Sequence, residues 1–351
     1  MRVLVLGGTG AMGVHVTRLL AEAGCNVVVT SRRGRESGGG VRYVKGDAKD
    51  PAFLNGLLAE RWDAVVDFMV WTTSAFRERF EKFLASTDQY VFVSSYRVYA
   101  DSPVITEESP RLLDVCGDSE YLATDEYALA KARCENMLFS SGGSNWTVVR
   151  PAVTYDGSGR FQLGVHEADL WLWRALRGVP VPLPGEMLGK QATMTWGGDA
   201  ARMIAGLIGN PVALGEAFTV STSEHRVWSE VAEIYRGVIS GLEVAPCGLA
   251  EFERERGGVY QIRYDRMFDR VVDNSKVLAA TGIDPASLTT MERGLSSELS
   301  RFLERGASLV CGSSAQARMD RLVGGFPALP SVACEKGALG IAKYLVRRIA
   351  G

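Results

Sequence analysis

The sequence predicts an α/β fold: a Rossmann doubly wound parallel sheet with a smaller, discontinuous, mostly helical substrate domain. Three observations carry this. The segment GGTGAMG, Gly7 to Gly13, directly follows the apolar run Val3-Leu4-Val5-Leu6. The first 150 or so residues alternate short apolar strands with helical patterns. After Arg150-Pro151 that alternation loosens into prolines and aromatic helices.

The glycine segment reads as strand, tight turn, helix. Gly7 allows a sharp turn, Gly10 lets the backbone approach a pyrophosphate, and Gly13 lets the helix pack close to the strand; the helix N-terminus supplies N–H groups and a positive dipole end. Gly7, Thr9, Gly10, Ala11, Met12 and Gly13 are therefore candidate cofactor contacts. Further strands are expected at 26–30, 41–44, 64–68, 90–93 and 146–149, and helices at 12–23, 52–61, 74–86 and 124–139. Regular alternation of hydrophobic strands with helices implies a parallel sheet covered on both faces. Ligands then bind outside the carboxyl ends of the strands.

Residues 157–214 hold Pro180, Pro182 and Pro184 and an aromatic helix at 168–176, whose Trp171 and Trp173 read as core or as the lining of an apolar pocket. One more strand at 216–221 returns to the main sheet. The expected division is a dinucleotide-binding domain at 1–165 plus about 215–225, a substrate-binding domain at 166–214 and 226–303, and a C-terminal extension at 304–351. Within the extension, 306–336 is rich in small residues and reads as loop; 337–350 reads as a basic amphipathic helix, docked on its own subunit or a dimer mate, or bound to a membrane surface.

Composition narrows the function classes. With 351 residues, 46% hydrophobic and 23% charged, the chain has an ordinary globular composition and enough length for a sizeable core. A net charge of −2 gives no bulk field for nucleic acid or an acidic membrane. No apolar run reaches the ~18–20 residues of a membrane span, and the N-terminus lacks a signal-peptide pattern. Six scattered cysteines (Cys25, Cys116, Cys134, Cys247, Cys311, Cys334) without a CxxC pair suit reduced thiols and a cytoplasmic location. His15, His166 and His225 lie outside ligand spacing, so no metal site is expected.

Tyr127-Ala128-Leu129-Ala130-Lys131 is the second chemical signal. A spacing of four sets Tyr127 and Lys131 on one helix face. The ammonium favours the phenolate, so the tyrosine can exchange a proton with an alcohol or carbonyl while hydride moves to or from a nicotinamide. The end of the second strand reads Thr30-Ser31-Arg32-Arg33, with no carboxylate for a ribose 2′-OH. A hydroxyl and two guanidiniums suit a 2′-phosphate. Ser31, Arg32 and Arg33 thus favour NADP over the alternative, NAD; as ordinary loop cations the arginines would carry no such meaning.

GGTGAMG, VFVSSYRVYA at 91–100 and YALAK at 127–131 together resemble the extended short-chain dehydrogenase/reductases, the NAD-dependent epimerase/dehydratase family. The resemblance covers about residues 1–300. It implies that Tyr127 is the catalytic acid/base, that Lys131 holds the nicotinamide ribose, and that Ser95 hydrogen-bonds the reacting oxygen, with Ser94 an adjacent competitor. It implies that Asp47 contacts adenine, although Asp47 also reads as the cap of the next helix, and that Pro151 borders the cofactor. It implies a homodimer and a small-molecule substrate, a sugar nucleotide; from the charge balance and the apolar runs, neither nucleic acid nor membrane is expected as partner.

Several positions depart from the family pattern. Ser95 is followed by Tyr96-Arg97 rather than the acidic pair of dehydratases. The Asn after the sixth strand is absent from Pro151-Ala152-Val153-Thr154-Tyr155-Asp156, and of the downstream nucleotide-diphosphate grip only Asp199 remains. Val65-Val66-Asp67-Phe68-Met69 replaces the usual His-Leu-Ala-Ala and is more similar to the atypical branch related to chloroplast RNA-binding members. The expected activity is epimerisation or ketone reduction at a secondary alcohol or ketone of a nucleotide-linked sugar. The alternatives are reduction of a non-sugar carbonyl and a non-catalytic NADP- or RNA-binding role.

Overall fold

The computed structural model describes residues 1–306, 309–310 and 312–349. The chain forms two compact units. The first comprises Met1–Thr154, Thr193–Ser223 and Val271–Thr289. Its centre is a seven-stranded sheet of β1 (Arg2–Leu6), β2 (Asn26–Ser31), β3 (Val41–Lys45), β4 (Trp62–Asp67), β5 (Thr87–Val93), β6 (Trp146–Pro151) and β7 (Glu216–Val220). The order is β7-β6-β5-β4-β1-β2-β3, and every neighbouring pair is parallel. β1 lies between β2 and β4, with Val3 opposite Val27 on one side and Ala64 on the other. The strand order reverses there, which puts the ligand crevice at the carboxyl ends of β1 and β4.

Strand periodicity explains the double cover. Val3 and Val5 join one core with Val16 and Leu20 of helix α1 (Gly13–Glu22), while Leu4 and Leu6 join another with Leu54 and Leu57 of α2 (Pro51–Leu58) and Cys134 and Leu138 of α3 (Tyr127–Phe139). Alternate residues of one strand thus feed opposite layers. Each fully buried aliphatic side chain contributes about 1.5–3 kcal/mol. α2 begins with the Asp50 side chain accepting from Phe53 N–H, and with Pro51 in the first turn.

Two segments fall outside the expected division. Helix α4 (Gly197–Leu207) and residues 271–289 belong to the first unit rather than to the smaller domain. α4 spaces Ala200, Met203, Ile204 and Leu207 along one face, and these complete the core over Val16 and Leu20. Asp199, buried at the start of α4, accepts from Thr289 N–H at 2.6 Å and so fastens the later segment. The helix expected at 74–86 is two helices, Thr73–Arg77 and Phe80–Ala85, separated by Arg79 with its φ of −126°.

The second unit comprises Tyr155–Ala192, Glu224–Arg270 and Thr290–Gly351. It is mostly helical, with short two-stranded pairings such as Val181–Pro184 beside Val244–Cys247. Trp171 stacks on Tyr235 at 4.5 Å, and both Trp171 and Trp173 are fully buried, so the aromatic helix Ala168–Ala175 is core. The loop expected at 306–336 is instead largely helical: Ser313–Val323 and Leu329–Ile349 pack against each other, the latter kinked at Gly337. Ala317, Ala328, Val332 and Tyr344 close a small core on Trp173. Small residues there serve close packing rather than flexibility. Arg174, fully buried, pairs with Asp320 at 2.8 Å, and Tyr344 donates to the same carboxylate. Tyr344 thereby docks the second half of the terminal helix within its own unit; Ala350 lies outside the described residues.

No helix among the described residues is long and apolar enough to cross a membrane. The five described cysteines are unpaired thiols; Cys311 lies outside the described residues.

Candidate active site

The glycine turn has the geometry its sequence requires. Gly7 has φ +71°, a left-handed conformation that favours glycine. A Cβ on Gly13 would lie 2.6 Å from the Cα of Gly8, so helix and turn touch backbone to backbone. Gly8 shares this packing role, which the sequence reading gave to Gly13 alone: its Cβ would lie 2.7 Å from Val5. Gly10 is different. It is exposed, and the nearest atom to a Cβ there is 4.0 Å away. Thr9, Ala11 and Met12 are half-buried around it. No side chain caps α1, and its first turn carries no acid. The turn therefore presents an open backbone surface beside a helix N-terminus, which fits a diphosphate.

Lys131 lies on the first turn and a half of α3 and is only 2% exposed. Its Nζ donates to the carbonyls of Val93 at 2.6 Å and Met69 at 3.1 Å, at the ends of β5 and just past β4. It lies 4.6 Å from the centre of the Phe92 ring and 5.9 Å from that of Tyr127. An ammonium has three donors, so one is left for a ligand hydroxyl. Tyr127 is half-buried at the start of α3, where the Glu126 side chain accepts from Ala128 N–H.

The two serines after β5 separate cleanly. Ser94 donates to Glu135 at 2.6 Å, inside a buried cluster in which Arg150 grips Glu135 through two nitrogens. Ser95 has extended backbone, and its Oγ accepts from Arg97 N–H at 3.2 Å. With its acceptor side engaged, the Ser95 hydroxyl keeps its proton for another oxygen. Arg97, which sequence reasoning noted only as a departure, lies 5.1 Å over the Tyr127 ring and pairs with Glu126 at 2.7 Å.

A continuous set of contacts thus runs from the turn to the tyrosine. A Cβ on Gly7 would meet Met69 Sδ at 3.1 Å, Met69 receives Lys131, Lys131 faces Tyr127, and Arg97 joins Tyr127 to Ser95. Ser31 ends β2 and is buried; Arg32 and Arg33 beyond it are exposed, with no ion pair among the described residues. Asp47 is exposed after β3 and accepts from Lys49 N–H at 2.9 Å; the cap of α2 is Asp50, not Asp47. Pro151 ends β6, beside Val220 of β7. No group of three or more His, Cys, Asp or Glu among the described residues could hold a metal ion.

Comparison with known proteins follows the same line. Residues 3–85 match the model of the NAD dependent epimerase/dehydratase family. The chain is 29% identical over 240 residues to 2'-dehydrokanamycin reductase of Streptomyces kanamyceticus, covering 66% of this chain and 65% of that protein. It is 25% identical over 250 residues to the Chloroplast stem-loop binding protein of 41 kDa b of Arabidopsis thaliana, covering 66% of this chain and 61% of that protein. The matches therefore span less than two thirds of either relative. The structure resembles UDP-glucose 4-epimerase of Thermotoga maritima with a TM-score of 0.65 at 17% identity, over 87% of this chain and 99% of that one. The fold is that of this structural neighbour, and the resemblance to the NAD-dependent epimerase/dehydratase family read from the sequence is borne out by the family model over residues 3–85.

Proposed function

We propose that this protein is a nicotinamide-dependent oxidoreductase that acts on a secondary alcohol or ketone of a sugar, by reduction or by epimerisation through a keto intermediate. The observation that carries the reading is the seating of Lys131 on the Met69 and Val93 carbonyls beside Tyr127, at the carboxyl ends of β4 and β5. The open glycine turn at Gly10 and the uncapped α1 would hold the diphosphate, Lys131 the nicotinamide ribose, and Asp47 and Pro151 the flanks of the cofactor. Bound nicotinamide supplies or takes up the hydride. Tyr127 gives its phenolic proton to the oxygen of the forming alcohol, or accepts it in the reverse direction. Ser95 donates its hydroxyl proton in a hydrogen bond to that oxygen as charge develops on it. In reduction, the ketone gains a hydride at carbon and the tyrosine proton at oxygen, so the step balances.

Net reduction is supported by the relative named 2'-dehydrokanamycin reductase, and epimerisation of a nucleotide-linked sugar by the structural neighbour named UDP-glucose 4-epimerase. Exposed Arg32 and Arg33 favour NADP(H), which suits a reductase with exchangeable cofactor. A second reading, RNA binding without catalysis, is favoured by the stem-loop binding relative; the net charge of −2 gives it no electrostatic support.

Titration with NADPH, NADH and an RNA stem-loop separates these readings. The expected result is NADPH binding tighter than NADH. Arg32→Ala with Arg33→Ala should cost about 10–100-fold in NADPH affinity, the scale of charge-assisted hydrogen bonds, and leave NADH affinity unchanged. Equal loss for both nucleotides would remove the 2′-phosphate assignment. Tight stem-loop binding with no nucleotide binding would overturn the enzymatic reading.

A further inference from the structure

Lys131 is a buried ammonium with no carboxylate at ion-pair distance among the described residues. A buried charge needs compensation beyond two carbonyls and an aromatic face. The group placed to give it is Asp67, the last residue of β4, which is fully buried. Its Oδ2 accepts from Tyr90 O–H at 2.6 Å and Trp71 Nε1–H at 2.7 Å, and its Oδ1 accepts from Met69 N–H at 2.8 Å. All three partners donate, so the polar contacts of Asp67 are made to accepting oxygens. Burial raises the carboxyl above its ordinary value, and the three donors and the Lys131 charge oppose that rise without cancelling it.

Met69 links the two groups. Its N–H is held by Asp67 and its carbonyl receives Lys131, while its sulfur lies against the glycine turn. We propose that Asp67 is a positioning residue: its carboxylate fixes the 67–69 turn on which Lys131 is seated and supplies the counter-charge that holds the ammonium in place for the cofactor ribose. The proposal rests on the cofactor reading above. It gives a role to the strand ending that departs from the usual family sequence.

The test is NADPH affinity, read by nicotinamide fluorescence on the full chain, alongside the melting temperature. Trp71→Phe removes one donor and keeps the charge, so it is the reference. Asp67→Asn in that background should weaken NADPH binding about tenfold. In a Lys131→Met background the same Asp67→Asn change should cost less than about twofold, because the two residues act through one contact. A purely structural role would give losses that multiply in full in both backgrounds. Asp67→Leu with Trp71→Phe and Tyr90→Phe replaces the whole polar cluster by apolar groups and guards against misfolding. It should show the same tenfold loss. Unchanged NADPH affinity in either Asp67 variant, with wild type binding normally, overturns the role of Asp67 and leaves the cofactor reading standing. Wild type that binds neither NADPH nor NADH overturns both.

Discussion

Ser94 and Ser95 are chemically identical in the sequence, and only the fold distinguishes them. One points its hydroxyl into the Glu135–Arg150 cluster, and the other keeps its proton available beside Tyr127's neighbour Arg97. Gly7 and the Tyr127–Lys131 spacing were legible because local geometry dictates them. Asp50 as the cap of α2, the packing role of Gly8 and the position of Arg97 over Tyr127 were not, because each depends on a partner that spacing does not reveal. His166 is a further residue whose state only burial sets. It is fully buried, its Nε2–H donates to the Pro182 carbonyl at 2.9 Å, and desolvation holds the imidazole down at about 3. The unfolded chain therefore binds this proton first. Stability contributed by neutral His166 is complete above about pH 6.5 and is lost as pH falls toward 3. Within that window the His166 contribution to the unfolding constant should rise up to about tenfold per pH unit. His166→Gln keeps a donor and removes the titration. Its melting temperature should fall less steeply than wild type between pH 6 and pH 4; identical slopes would contradict the buried neutral state.

At the scale of elements, the strands were the most readable part. β1 sends Val3 and Val5 to one layer and Leu4 and Leu6 to the other, so a short apolar run already announces two covered faces. Helices with an interrupted apolar pattern were less so. The stretch 74–86 divides at Arg79 even though no proline or glycine marks the break. The join between β1 and α1 gives a direct test. Gly13→Ala puts a methyl 2.6 Å from Gly8 backbone, which cannot rotate away, and should cost about 1–3 kcal/mol in chemical denaturation. Gly10→Ala meets nothing closer than 4.0 Å and should change stability by no more than about 0.5 kcal/mol. Loss of NADPH binding in Gly10→Ala with intact stability would mark that position as the phosphate approach.

For the whole molecule, the doubly wound sheet followed from strand–helix alternation, whereas the division of the later chain did not. α4 and residues 271–289 return to the first unit because an apolar helix face and the Asp199–Thr289 hydrogen bond hold them there, and neither is visible as a composition shift. The C-terminal segment misled for the opposite reason: its small residues pack the Trp173 core, and its buried Arg174–Asp320 pair joins residues far apart in sequence. The central claim is that Tyr127 moves the proton while a bound nicotinamide moves hydride to a sugar carbon. It is tested most directly by incubating the protein with NADPH deuterated at the transferring position and a panel of free and nucleotide-linked sugar ketones, then locating deuterium by mass spectrometry. The account predicts deuterium on one carbinol carbon, and a loss of about 10²–10⁴-fold in rate for Tyr127→Phe with NADPH affinity retained. Transfer by Tyr127→Phe at the wild-type rate, or none to any sugar ketone from wild type, would contradict it.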